Sequence, residues 1–107
     1  MVIDLIEEYK THCALKFRRF SNQVKRGVRY SSFRVEQYED VQEHYLNDIC
    51  AVYLFLKNYT NREGSIELYN TYMEYVDKIE DFDISGAYSE AQEMARISRE
   101  KSRLKRV

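Results

Sequence analysis

The sequence predicts an all-α fold: a compact helical bundle of three long helices plus a shorter fourth helix with a basic C-terminal extension. Three observations carry that expectation. The chain holds no proline and only three glycines, so the usual punctuation of sheets and loops is missing. Its apolar residues recur at threes and fours, the spacing of one helix face. Hydrophobic residues make up 44% and charged residues 33%, which gives a core and a solvated surface rather than a disordered chain. A length of 107 residues suits one domain, placed at 1–95, with 96–107 as a basic helical extension or tail.

Helix one is written by Ile3, Ile6, Tyr9, Cys13, Phe17, Phe20 and Val24, an amphipathic stripe of about six turns. Gly27 is expected to end it in the left-handed conformation. Ser31 and Ser32 are the natural caps of helix two, whose stripe runs Tyr38, Val41, Tyr45, Ile49, Val52, Leu56 and Tyr59. A second apolar line, Leu46, Cys50, Tyr53 and Leu54, makes its middle apolar nearly all round, so helix two is expected to be the central element. Such a helix needs cover on several sides, which predicts a homodimer burying part of residues 45–56. A loop follows over residues 58–65, with Asn61 and Gly64 as turn residues. Helix three uses Ile66, Tyr69, Tyr72, Met73, Val76 and Ile79. After a break at Ser85 and Gly86, Ser89 with Gln92 fits a capping box that opens helix four.

No run approaches the roughly 18 apolar residues of a membrane span; the longest, 49–56, has the length of a buried helix segment. Asp4, Glu7 and Glu8 stand where a signal peptide carries positive charge. Cys13 and Cys50 sit inside apolar patterns and read as small core residues rather than a disulfide. Together these features predict a cytoplasmic protein with no membrane partner.

The net charge of −1 hides a strong segregation. Residues 9–35 hold eight bases and no acid, residues 36–95 hold fourteen acids against three bases, and residues 96–107 hold six bases against Glu100 alone. Such blocks invite a physical reading. With Phe17, Phe20 and Val24 turned inward, the outer face of helix one presents Arg18, Arg19, Asn22, Lys25 and Arg26, and Arg29 and Arg34 follow. Arginines beside short polar side chains suit contacts to a nucleic-acid backbone. Arg99, Lys101, Arg103, Lys105 and Arg106 on the tail would add sequence-independent attraction. The competing expectation is that the bases satisfy the chain's own acids, bringing Arg18 and Arg26 near Glu36, Glu39, Asp40 and Glu43.

Ten tyrosines and no tryptophan suit a partly wet helix interface. Tyr45, Ile49, Val52, Tyr53, Leu56, Tyr69 and Tyr72 are the candidate protein-interface residues. Each histidine has a carboxylate four residues before it, Glu8 with His12 and Asp40 with His44, and Asp48 follows. On helices these are ordinary surface pairs, though the spacing also allows a metal between two helices. No metal and no cofactor are expected.

Enzyme chemistry finds little support. There is no glycine-rich phosphate loop, no GxSxG and no CxxC. All-α nucleoside triphosphate pyrophosphatases hold magnesium with a helical ExxE followed by ExxD. Glu36 with Glu39 and Glu74 with Asp77 make such pairs, but their separation is too long and the surrounding residues do not match. Eighteen acids in 107 positions give roughly three such pairs by chance, and Glu80 with Asp83 is another. The expectation is a non-enzymatic regulatory or accessory protein of the kind carried by mobile elements or phages, associated with nucleic acid through helix one and the tail. The alternatives are a protein-binding inhibitor or adaptor that uses helices two and three, and a magnesium-dependent nucleotide pyrophosphatase.

Overall fold

The structure, a computed structural model, describes residues 4–29 and 35–105, apart from the side chains of Val35 and Lys105. Four α-helices follow one another: α1 (Leu5–Arg29), α2 (Val35–Leu56), α3 (Arg62–Glu80) and α4 (Ile84–Lys105), with a 3-10 turn at Lys57–Tyr59. The all-α bundle is the one expected from periodicity. Ser31 and Ser32, the expected caps of α2, lie outside the described residues, as do Arg34 and Arg106.

The central helix is α1, not α2. It supplies Tyr9, Cys13, Phe20, Val24 and Val28 to a buried core completed by Tyr45, Ile49, Leu68, Ile79 and Ala87. α2 lies antiparallel to it. The Tyr9 hydroxyl donates to the Ile49 carbonyl at 2.7 Å, and the Tyr45 hydroxyl donates to Gln23 Oε1 at 3.0 Å. α3 runs parallel to α1 along its first half, with Lys10 beside Glu67 and Phe17 beside Tyr75. α4 then runs parallel along the second half, with Lys25 beside Glu90. Between them Phe82 turns inward, its ring 5.2 Å from that of Phe20 in an edge-to-face pair. Laying α3 and α4 end to end along one helix gives a flat molecule of 66 × 33 × 15 Å.

Four local expectations are corrected. α1 passes through Gly27 to Arg29, because Val28, one turn beyond Val24, is also buried and keeps the helix going. The loop after α2 shrinks to the 3-10 turn and two residues. Asn61 caps α3, accepting from the Gly64 N–H at 2.8 Å, and Gly64 lies inside the first turn. On α3 the expected Tyr72, Val76 and Ile79 do pack inward, joined by Leu68 and Tyr75, while the expected Ile66 and Tyr69 are about half exposed. Leu68 and Ile66 both have helical spacing to that set; contact with the neighbouring helices buries Leu68.

The fourth correction concerns α4, which opens five residues before Ser89 and is 22 residues long, more than the 19 of α3. Asp83 is its cap, accepting from the Gly86 N–H at 2.8 Å. A β-carbon on Gly86 would collide with that carboxylate, so the glycine lets the cap close. Asp83→Ala is therefore expected to cost about 1 kcal/mol, a loss of about 4–8 °C in Tm. Ser89→Ala should leave Tm unchanged in the same thermal melt; the reverse ranking would restore the capping box at Ser89.

Candidate nucleic-acid interface

The basic stretch of α1 forms one exposed face. Its buried face, from Tyr9 to Val28, fixes the orientation of the helix, and Arg18, Arg19, Asn22, Lys25, Arg26 and Arg29 all emerge on the solvent side. Asn22 and Arg26 form a crest between two shallow clefts. Toward α4 a cleft of about 390 Å³ is lined by Asn22, Lys25, Arg26 and Arg29 on one wall and Ala87, Glu90, Ala91 and Met94 on the other. Toward α2 a cleft of about 460 Å³ is lined by Arg19, Asn22, Gln23, Arg26 and Tyr45.

The charges of this face are only lightly compensated. Lys25 meets Glu90 at 3.7 Å, both side chains about half exposed, a pair of little energetic weight. Arg18, Arg19 and Arg26 make no ion pair among the described residues. The expected pairing of Arg18 and Arg26 with Glu36, Glu39, Asp40 and Glu43 is therefore absent. The reason is geometric: α1 turns its arginines outward, while the α2 acids occupy the exposed face of their own helix.

The α1–α2 seam is closed lower down by a different cluster. Asp48 accepts from Lys16 at 3.1 Å and lies 2.9 Å from His12 Nε2. Burial alone would raise its carboxyl, but Lys16 and His12 outweigh that and hold it below the usual carboxylate range. Cys13 is buried, and burial pushes its thiol up to about 11, the environment of an inert cysteine. Burial likewise raises the neighbouring Tyr9 hydroxyl. His44 lies exposed against the Tyr45 ring.

The tail residues are less coherent. α4 remains helical to Lys105, and Arg99, Lys101 and Arg103 are exposed. At 100° per residue, Lys101 continues the line of Met94 on the cleft side, whereas Arg99 and Arg103 fall on the opposite side of α4. Arg96 is engaged by Glu93 and Glu100. The crest and the tail are thus two separate basic features, not one surface.

Of the expected protein-interface residues, Tyr45 and Ile49 are buried by α1 within a single chain, and Val52, Tyr53, Leu56 and Tyr72 pack against the core. A single chain already gives most of residues 45–56 their cover, through α1 and α3. Tyr69 stays exposed, and so do Leu54 and Tyr59, which the periodicity had placed on the apolar lines of α2, at 47% and 65%; Phe55, which it did not single out, is 60% exposed. The α4 wall of the cleft was also missed; its signal was Ala87 and Ala91, small residues one turn apart that permit close approach of α1. Among the described residues no three histidine, cysteine or acidic side chains converge where a metal ion could be held. Glu36, Glu39, Glu74 and Asp77 are accordingly not gathered into one site.

No helix is long and apolar enough to cross a membrane among the described residues. No protein-family model, no curated protein and no solved structure matches this chain.

Proposed function

We propose that this chain is a non-enzymatic nucleic-acid-associated protein whose α1 crest meets the phosphate backbone. The observation that carries the reading is the exposed set Arg18, Arg19 and Arg26, unpaired among the described residues and arrayed around Asn22. Unpaired guanidinium groups on a rigid helix, next to a short amide donor, are suited to phosphate oxygens. Among the described residues α1 itself carries no exposed aromatic ring, and Tyr88 on the neighbouring α4 is a single ring, 45% exposed. A stacking platform for unpaired bases is built from several exposed rings, so duplex DNA or RNA is the better substrate.

Fluorescence anisotropy with a mixed-sequence duplex and a single strand tests the reading. One phosphate contact from each of Arg18, Arg19, Lys25, Arg26 and Arg29 implies a log–log salt slope of about −4.5, so raising salt from about 50 to about 200 mM should weaken duplex binding about 500-fold. Absence of binding at the lower salt sinks the proposal. A protein partner is the second reading, favoured by the exposed Leu54, Phe55 and Tyr59.

A further inference from the structure

The second half of α4 has no counterpart among the described residues of its own chain. Met94 shares the cleft with Arg29, the last described residue of α1, so residues 95–105 run on past that end for about 16 Å. Every described side chain from Gln92 to Leu104 is exposed, including Ile97 at 39% and Leu104 at 76%. A free helical segment of this length is marginal in water. The Arg96 bridges to Glu93 and Glu100 support only part of it. Arg99, Lys101 and Arg103 carry no ion pair among the described residues, and Arg99 and Arg103 face away from the α1 crest.

The complementary surface is on α2. Glu36, Glu39, Asp40 and Glu43 are exposed and form no ion pair among the described residues. They extend over about 10 Å of helix, within the reach of the projecting α4 segment. Neither α3 nor α4 covers them: α3 ends near Gln42, which donates to the Ile79 carbonyl at 3.0 Å, and α4 packs on α1 alone. The acidic face and the projecting segment also lie at the same end of the molecule, since α2 starts where α1 finishes.

We propose that the projecting half of α4 docks on the acidic outer face of α2 in a second copy of this chain. Because donor and acceptor surfaces share one end, a twofold axis lets each copy give its α4 and receive its partner's, which closes the assembly as a dimer. The contact joins the carboxylates of that face to Arg99 and Arg103, which share one side of α4, while Lys101, on the other side with Ile97 and Leu104, adds attraction at longer range. It leaves the α1 crest free, and it does not depend on nucleic acid.

Sedimentation velocity on nuclease-treated, nucleic-acid-free full-length protein tests it. The unmodified chain should be dimeric at about 50 mM salt and shift toward monomer at about 500 mM. The variant R99E/K101E/R103E, with acidic tail and acidic face, should be monomeric. So should E36K/D40K/E43K, with basic tail and basic face. Mixed in equal amounts, the two variants should form a one-to-one dimer, because each tail now meets a face of opposite charge. All six positions are exposed, and circular dichroism should show both variants as helical as the parent. A monomeric parent at low salt, a dimer indifferent to either reversal, or a mixture that stays monomeric overturns the proposal. Loss of nucleic-acid affinity in the tail variant, with the parent monomeric, would instead assign the tail to phosphate.

Discussion

Reversing the α1 crest with R18E/R19E/K25E/R26E should reduce nucleic-acid affinity by more than about 100-fold while leaving the fold intact. All four side chains are exposed, and only Lys25 has an ion-pair partner among the described residues, so the substitutions remove no buried contact. Each glutamate both withdraws a counterion-releasing contact and adds repulsion from the backbone. The same change on the acidic face, E36K/D40K/E43K, should not weaken binding. Comparing the salt slopes separates a specific loss from a general charge effect: the crest variant should be nearly flat, and the face variant as steep as the parent. Unchanged affinity in the crest variant would move the functional surface elsewhere, with the exposed Leu54, Phe55 and Tyr59 as the next place to look for a partner.

Phe20→Ala should be the most damaging single core substitution. Phe20 is fully buried between α2 and the break that joins α3 to α4. Its ring lies 6.3 Å from that of Tyr38, 5.8 Å from Tyr45, 6.3 Å from Phe17 and 5.2 Å from Phe82. Truncating a phenylalanine in such a cluster costs about 3–5 kcal/mol, out of a total of about 5–15 kcal/mol for a domain of this size. The expected fall in Tm is about 15 °C or more. Leu15→Ala, on the exposed side of the same helix, should stay within about 0.5 kcal/mol of the parent. A drop below about 5 °C for the phenylalanine variant would mean that the α3–α4 break does not close on α1 as described.

The helical class, the number of helices and the inward faces of α1 and α2 were legible in the order of residues. Threes-and-fours spacing from Ile6 to Val24 admits one burial solution, because the opposite face of α1 is charged or polar over most of its length. From Tyr38 to Leu56 it marks the inward face even though the middle of α2 is apolar nearly all round. The basic face of α1 was legible for the same reason. Once Phe17, Phe20 and Val24 point inward, Arg18, Asn22 and Arg26 have only solvent to point toward.

What the order of residues left open was decided by contacts between distant segments. α3 is apolar at Ile66 and Tyr69 as well as at Leu68 and Tyr75, and only its contacts with α1 and α2 bury Leu68 and leave Ile66 and Tyr69 half exposed. Asp83 and Ser89 are both competent caps; Phe82 docking against Phe20 sets the break and so picks Asp83. The apolar middle of α2 suggested a central helix, yet the longer α1 lies between α2 and the α3–α4 line and takes that place. Local periodicity fixes which side of a helix is buried, since it depends on residues a turn apart. Which partner covers that side, and which charges are left without one, depends on how helices of unequal length are laid against each other.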